Sequence, residues 1–409
     1  MLPRRRDVDT PCHPGALPVP ELADQAVLRT LADLVAINSV NPNYEGGVPE
    51  AEIADYVEAF FVARQIETWR QPVSPDRPNV IARVPGRDRQ HRVIFEAHMD
   101  TVSTGGMTIP AWTPEIRDGR LYGRGACDTK GGLAAMMHAM ARLADERQPP
   151  PCDIWLAATI DEEFSYRGVV ALCEGLHADA AIIAEPTNLQ AVIASKGLVR
   201  WKIETRGQAA HSAKPHLGRN AIEQMAEVIL ALRADTRRLA EQTHPLLGPA
   251  TCNVGIIEGG QQINVVPASC AIEIDRRILP GETCEAVLQH YQALLDRLAA
   301  EAAVDARMHP PMLTDLPLET SEQSAAARLI KTILATMQLD PQLIGVPFCS
   351  DASKLGARGI PSLILGPGSI DQAHGAVEFV DCQQVVQAVE IYRRFMLEFA
   401  PSSPACSGG

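Results

Sequence analysis

The feature that most constrains the fold is a series of short, near-continuous apolar segments, each followed at once by an acidic or histidine residue. Segments 93–97, 154–160 and 180–184 have the length and composition of buried strands, and stretches between them have the apolar spacing of helices. Strands that alternate with helices favour a largely parallel sheet. We therefore predict an open α/β sheet.

The polar residues at these strand ends are predicted to meet at one rim of the sheet, because ligands of open α/β sheets gather at the carboxyl ends of the strands. A fourth predicted strand, 361–365, leads through a short loop to the last of them. Two histidines with several carboxylates and no sulfur suit two divalent ions such as zinc, cobalt or manganese. The residues concerned are His98, Glu162, Glu163, Glu185 and His374.

A glycine-rich turn at 123–125 leads to Asp128 and then into an Ala/Met-rich helix. A Gly-x-Gly opening suggests a phosphate cradle, but the dinucleotide fingerprint needs a third glycine at position 128. A carboxylate there would repel a pyrophosphate. It suits a cation instead, and its two oxygens suit a bridge between two metals.

Two neighbours of the predicted ligands have expected supporting roles. Asp100 lies two residues after His98 on an extended segment, so its carboxylate is predicted to hold the free nitrogen of that ring. The adjacent acids Glu162 and Glu163 point in different directions, which suits one as a ligand and the other as a general base. Taken alone, a His-x-Asp pair is common by chance, and adjacent acids also occur in ordinary solvated turns.

Bulk composition limits the partners. The chain has 409 residues, 46% of them hydrophobic, and a formal net charge of -13. This acidic balance argues against nucleic acid and against an anionic membrane surface, so we expect a small-molecule substrate. The N-terminus has no secretory signal, no stretch is expected to span a bilayer, and the ten cysteines form no C-x-x-C pair. These features favour a cytoplasmic protein.

Together the motifs resemble the dinuclear-zinc deacylases and exopeptidases, a family that includes acetylornithine deacetylase, succinyl-diaminopimelate desuccinylase, aminoacylase and the glutamate carboxypeptidases. The acetylornithine-deacetylase-like members are the most similar. The resemblance implies a zinc-exopeptidase-like α/β/α catalytic domain that binds two divalent metal ions, most simply zinc. The matching stretches are 98–102, 123–132, 161–163, 185–187 and 373–374.

The segment from 199 to 308 has the predicted order β-α-β-β-α-β, which is a ferredoxin-like unit. In the family, such an inserted domain forms a lid and a homodimer interface. We assign 1–20 to a flexible leader, 21–195 and 312–400 to the catalytic domain, 196–311 to the lid and dimerisation domain, and 401–409 to a flexible tail.

The resemblance also implies a role for each site residue. In the family's pattern one aspartate bridges both metals, a histidine and a glutamate complete each site, and another glutamate is the base. Carried onto this chain, the bridge is Asp128, the first pair is His98 and Glu185, the second pair is Glu163 and His374, and the base is Glu162.

Five further residues are predicted substrate contacts or transition-state contacts. His211 resembles the histidine that reaches the partner subunit's active site and steadies the oxyanion. Asn264 and Arg277 resemble residues that bind the substrate carboxylate, and an arginine fork matches a carboxylate bidentately. Gly366 and Gly368, in the loop before His374, are also predicted to contact substrate.

The implied activity is hydrolysis of the amide bond of an N-acyl-L-amino acid by a metal-bridging water, with Glu162 as general base. A dipeptidase, a carboxypeptidase acting on a short peptide, or a desuccinylase is the alternative within the family. Residues 349–351 depart from the Gly-Thr pairs of the well-known deacetylases and desuccinylases, which leaves the substrate open. A scaffold without catalysis is a further alternative, against which the full ligand set speaks.

Overall fold

The computed structural model describes residues 23–146 and 149–401, so the predicted leader and residues 402–409 of the predicted tail lie outside these ranges. Among the described residues, no helix is long and apolar enough to cross a membrane. The α-helices are Ala23–Ala36, Ala51–Val62, Gly131–Ala144, Arg167–Leu172, Ala221–Leu239, Cys284–Ala302, Ala325–Thr336, Ala352–Ala357 and Cys382–Glu398.

A large sheet of parallel and antiparallel strands forms the centre of the predicted catalytic domain. Its edge strand Glu67–Ser74 and the strand Ala191–Ser195 were not among the predicted strands. In spatial order the sheet runs Glu67–Ser74, Arg77–Val84, Cys152–Thr159, Asp88–His98, Ala180–Ile183, Ser362–Ile364, Ala191–Ser195 and Leu318–Glu319, and Leu343–Val346 also pairs with Ala191–Ser195.

Successive residues of the central strands face opposite sides of this sheet, and both sides are covered. Val93 and Phe95 pack among the helices of one face, whereas Ile94 between them joins the core under Arg167–Leu172 and Ala352–Ala357. Burial on both faces explains why these strands are continuously apolar rather than alternating. The predicted α/β/α arrangement is confirmed.

Parallel pairing places the functional strand ends together. Asp88–His98 lies between Cys152–Thr159 and Ala180–Ile183 and is parallel to both, and Ser362–Ile364 is parallel to Ala180–Ile183. All four strands therefore end at the same edge of the sheet, where the segments that carry the predicted ligands begin.

A second, small sheet consists of Thr251–Gly259, Ser269–Ile278, Gly197–Arg206 and Ala306–Met308 in that spatial order. With its two helices it has the predicted β-α-β-β-α-β order. Leu313–Asp315 also pairs with Gly197–Arg206, so the small sheet extends beyond residue 311, where the inserted domain was predicted to end.

The two faces of the small sheet differ. The helices Ala221–Leu239 and Cys284–Ala302 cover one face, where Trp201 and Ile274 are buried. The opposite face has no such cover from these helices and presents charged side chains, among them Arg200, Asp275 and Arg277. This polar face contributes one wall of the cavity at the candidate site.

Candidate metal centre

The turn that carries Asp128 is fixed by a buried carboxylate from a distant part of the chain. Oε1 of Glu378 accepts hydrogen bonds from the backbone N–H groups of Cys127, at 3.0 Å, and Asp128, at 3.1 Å. Nη1 of Arg124 donates to the other oxygen, Oε2, at 2.7 Å. Because both side chains of this ion pair are almost fully buried, the pair holds the turn in one position.

Asp128 lies between two histidines, one at each of its carboxylate oxygens. Nε2 of His98 is 3.1 Å from Oδ1, and Nε2 of His374 is 3.2 Å from Oδ2. The carboxylate therefore faces two separate positions at once. This is the geometry that a bridge between two cations requires.

The structure brings the five predicted ligands together in two groups that share Asp128. In each group the potential ligand atoms lie within 4.8 Å of one another. Nε2 of His374 is 3.2 Å from Oε1 of Glu163. The first group is His98, Asp128 and Glu185, and the second is Asp128, Glu163 and His374.

Burial of several acids at one place has a clear electrostatic effect. Burial and the charge of Asp128 raise the pKa of Glu185 well above its usual range, and burial and the charge of Glu185 do the same for Glu162. Burial would lower the pKa of His98, but its hydrogen bond to Asp128 and the nearby carboxylates raise it well above its usual range.

Hydrogen bonds to Asp128 and Glu163 raise the pKa of His374 to about 10. The centre thus places several carboxylates next to two imidazole rings. Oxygen and imidazole donors with surplus negative charge fit two divalent cations, which bind imidazole in its unprotonated form.

Asp100 has a different role from the predicted one. Nδ1 of His98 is 2.9 Å from the backbone carbonyl oxygen of Asp100 but 3.7 Å from its carboxylate, so the carbonyl accepts the hydrogen bond. The carboxylate instead accepts from the backbone N–H groups of Glu162, at 3.1 Å, and Glu163, at 3.2 Å. Asp100 therefore fixes the segment that carries both glutamates, and the prediction that its carboxylate holds the free ring nitrogen of His98 is wrong.

A cavity of about 490 Å³ opens beside the two groups. Glu162, Glu163 and His374 lie on one wall, and the predicted substrate residue Arg277 lies on the wall formed by the small sheet. Arg277 is thus brought to the same space as the predicted base. A molecule in this cavity would contact both sheets.

His211 and Asn264 lie together elsewhere, on loops of the small-sheet unit. His211 forms an isolated bridge with Val265, and the backbone N–H of Ser212 donates to the carbonyl oxygen of Asn264 at 3.0 Å. Within one chain, neither residue is part of the described wall of the cavity at the metal centre. Their predicted contacts with the reacting group stay predictions.

Gly366 and Gly368 are buried behind the centre. A Cβ on Gly366 would lie 2.6 Å from the carbonyl oxygen of Glu185, and one on Gly368, where φ is +88°, would lie 2.5 Å from Sγ of Cys127. In the structure, these glycines pack closely against the two segments that carry the predicted metal ligands Glu185 and Asp128. Their predicted contact with substrate stays a prediction.

Several supporting residues were missed from the sequence. Nδ2 of Asn41 donates to Oδ2 of Asp100 at 2.7 Å, and the hydroxyl of Tyr44 donates to the carbonyl oxygen of Glu163 at 2.7 Å. Neither residue belongs to a motif that was predicted to form the site. Glu378 and Arg124 are 254 positions apart, and no spacing rule connects them. The isolated charge of Arg124 inside Gly-Arg-Gly was the one available signal.

Comparison with known proteins gives a consistent result. Residues 94–398 match the model of "Peptidase family M20/M25/M40". Acetylornithine deacetylase of Myxococcus xanthus is 31% identical over 392 residues, which cover 91% of this chain and 97% of the relative.

Two solved structures share the fold of this chain. Aminopeptidase PepT from Bacillus cereus superposes with a TM-score of 0.77 at 22% identity, covering 92% of this chain and 98% of that one. The YXEP protein of Bacillus subtilis, described as a dinuclear metal-binding peptidase from the M20 family, gives 0.71 at 16% identity, covering 92% and 99%. At these identities the likeness concerns the fold alone.

The Glu378 anchor leads to a testable expectation. Replacing Glu378 with Gln removes the charge that pairs with Arg124 and weakens the hold on the Asp128 turn. We expect the affinity for zinc to fall by about 10-fold to 100-fold, the usual effect of losing a partner that orients a metal ligand. Zinc titration monitored by calorimetry measures this. The exposed Glu398→Gln variant is the control, and equal affinities in both variants would contradict the anchor role.

Proposed function

The chain belongs to peptidase family M20/M25/M40, and on this premise we propose that it hydrolyses the amide bond of N-acyl-L-amino acids using two divalent metal ions. It is a metal-dependent hydrolase of that family. The finer proposal is supported by relatives named acetylornithine deacetylase, which align over almost their whole length at about 30% identity.

One observation carries the proposal: each oxygen of Asp128 faces a different histidine, and each histidine has a glutamate beside it. His98 and Glu185 would hold one ion, Glu163 and His374 the other, and Asp128 both. We propose zinc for both positions, with cobalt or manganese as alternatives, because the donors are imidazole and carboxylate without sulfur.

The two ions, when bound, supply Lewis-acid activation of water and of the acyl carbonyl. Glu162 belongs to neither ligand group but lines the cavity beside them. Its raised pKa suits a carboxylate that takes a proton from water and then delivers it to the leaving amine. Asp100 keeps Glu162 in place through the backbone N–H.

Arg277 provides the other end of the proposed substrate site. It lies on the small-sheet wall of the same cavity, opposite the predicted base. Its guanidinium would bind the carboxylate of the amino-acid part and so place the amide between Arg277 and Glu162.

We further propose a homodimer formed through the small sheet. Among the described residues, its edge strand Thr251–Gly259 pairs on one side alone, and Ile256 and Ile257 on it are 50% and 56% exposed. An exposed apolar edge strand presents unpaired backbone groups with which a strand of another chain can pair. In such a dimer, His211 and Asn264 would be supplied to the partner's cavity, which accounts for their distance from the metal centre of their own chain.

Replacing Glu162 with Gln tests the reaction directly. We expect hydrolysis of N-acetyl-L-amino acids to fall by about 10² to 10⁴-fold, because the general base is lost while both ligand groups remain. Amine release and metal content are measured on the same preparation. Turnover within tenfold of the unchanged enzyme, at equal metal content, would contradict the proposed role.

The neighbouring variant Glu163→Gln is the matched control, since it alters a ligand and should lower metal content as well as activity. Dipeptides are assayed beside the N-acetyl substrates. Faster cleavage of dipeptides would assign the chain to the peptidases of the family instead of the deacylases.

Hybrid dimers test the proposed exchange of His211. We expect His211→Ala and Glu162→Gln proteins to be nearly inactive alone. Mixed dimers should regain activity, because one of the two cavities would then combine an intact Glu162 with an intact His211 from the other subunit. Differently tagged subunits isolate the hybrids. No activity in purified hybrids would show that His211 does not act across the interface.

A further inference from the structure

We propose that Arg200 makes the cavity selective for N-acyl amino acids that carry a second carboxylate, and disfavours substrates with a cationic side chain. This inference rests on the proposed deacylase function and specifies its substrate class. Arg200 was not among the residues predicted from the sequence. The structure places it on the wall of the cavity that also contains Glu162 and Arg277.

Strand pairing explains why the two arginines share this wall. In the antiparallel pair of Gly197–Arg206 with Ser269–Ile278, Arg200 lies opposite Asp275 and Leu198 lies opposite Arg277. Residues two apart on a strand face the same side, so all four face away from the covering helices. Arg276, between Asp275 and Arg277, faces the other side and is buried.

Asp275 holds both guanidinium groups without using all of their donors. Nε of Arg200 is 2.7 Å from Oδ2 of Asp275, and Nε of Arg277 is 2.7 Å from Oδ1. The Nη nitrogens of Arg200 make no hydrogen bond within the described part of the chain, and Nη1 of Arg277 is also uncommitted there. Arg200 and Arg277 remain 43% and 27% exposed. The pair is therefore oriented and still able to bind anions.

The acids on the described cavity wall do not offer a site for a cation. They are Glu162 and Glu163, of which the first is the proposed base and the second belongs to a ligand group. A substrate ammonium group near the small sheet would instead meet the guanidinium of Arg200. This like-charge contact would count against an ornithine-like side chain.

A second carboxylate fits the same wall. If Arg277 binds the carboxylate of the amino-acid part, the Nη groups of Arg200 remain to bind another anion. An arginine fork and a carboxylate match in shape, and charge-assisted hydrogen bonds are the stronger kind. The second carboxylate can come from an acidic side chain or from a dicarboxylic acyl group, and both have the same chemistry at Arg200.

Isosteric substrate pairs test this inference. We expect the zinc-loaded enzyme to have a kcat/KM at least about tenfold higher for N-acetyl-L-glutamate than for N-acetyl-L-glutamine, the size expected for a hydrogen-bonded charge. N-succinyl-L-alanine against N-succinamoyl-L-alanine, in which an amide replaces the terminal carboxylate, tests a carboxylate in the acyl group. A preference in either pair supports the inference and identifies the source of the carboxylate. No preference in either pair, or N-acetyl-L-ornithine as the best substrate, would overturn it.

Variants then assign the preference to one residue. We expect Arg200→Gln to lose about tenfold or more on the favoured dicarboxylate and to change less than about threefold on its neutral partner. Lys202→Gln is the matched control, because Lys202 lies two residues along the same strand and is not part of the described cavity wall. Equal losses in both variants, or on both substrates of a pair, would contradict a specific role for Arg200.

Binding separates this inference from the proposed reaction. Calorimetry with zinc-loaded Glu162→Gln protein compares the affinities for N-acetyl-L-glutamate, N-acetyl-L-glutamine, N-succinyl-L-alanine and N-succinamoyl-L-alanine without turnover. Tighter binding of a dicarboxylate supports the role of Arg200 if the double variant Arg200→Gln/Glu162→Gln loses this preference. This holds even if the unchanged enzyme hydrolyses no N-acyl amino acid. Hydrolysis of N-acyl amino acids without any such binding preference would retain the proposed function and overturn the role of Arg200.

Discussion

The sharing of Asp128 between two histidines is the interaction on which the rest of the site depends. A single carboxylate can face both partners only if its turn is held rigidly, and the buried pair of Glu378 and Arg124 does this through two backbone N–H groups. The centre brings several carboxylates together, and burial and their mutual repulsion raise the pKa of Glu162 and of Glu185. Divalent ions held between these groups would offset the cost of burying their charges.

The large sheet brings residues that are far apart in the sequence to one place. Its parallel strands end at one edge, so residues 98, 163, 185 and 374, widely spaced along the chain, meet near Asp128. This much could be predicted from the sequence, because buried parallel strands are continuously apolar and their carboxyl ends are marked by the polar residues that follow. The β-α-β-β-α-β order of the inserted unit could also be predicted, because each helix and strand has a clear local pattern of apolar residues.

What could not be predicted depends on contacts between distant or weakly patterned segments. Glu378 meets the Asp128 turn only through the tertiary fold. Asp100 was correctly placed near His98, but local geometry decided that its carbonyl, not its carboxylate, accepts from the ring. The position of Arg200 at the cavity follows from the register of the small sheet, which places it opposite Asp275. A single charged residue on a half-exposed strand has no sequence pattern that would predict a functional role.

The central proposal is that Asp128 bridges two bound cations. It is tested most directly by diffraction from crystals grown in the presence of zinc, at wavelengths on both sides of the zinc absorption edge. We expect two anomalous peaks in each chain, one beside His98 and Glu185 and one beside Glu163 and His374, with one oxygen of Asp128 bound to each ion. A single fully occupied ion, or two ions of which only one contacts Asp128, would contradict it.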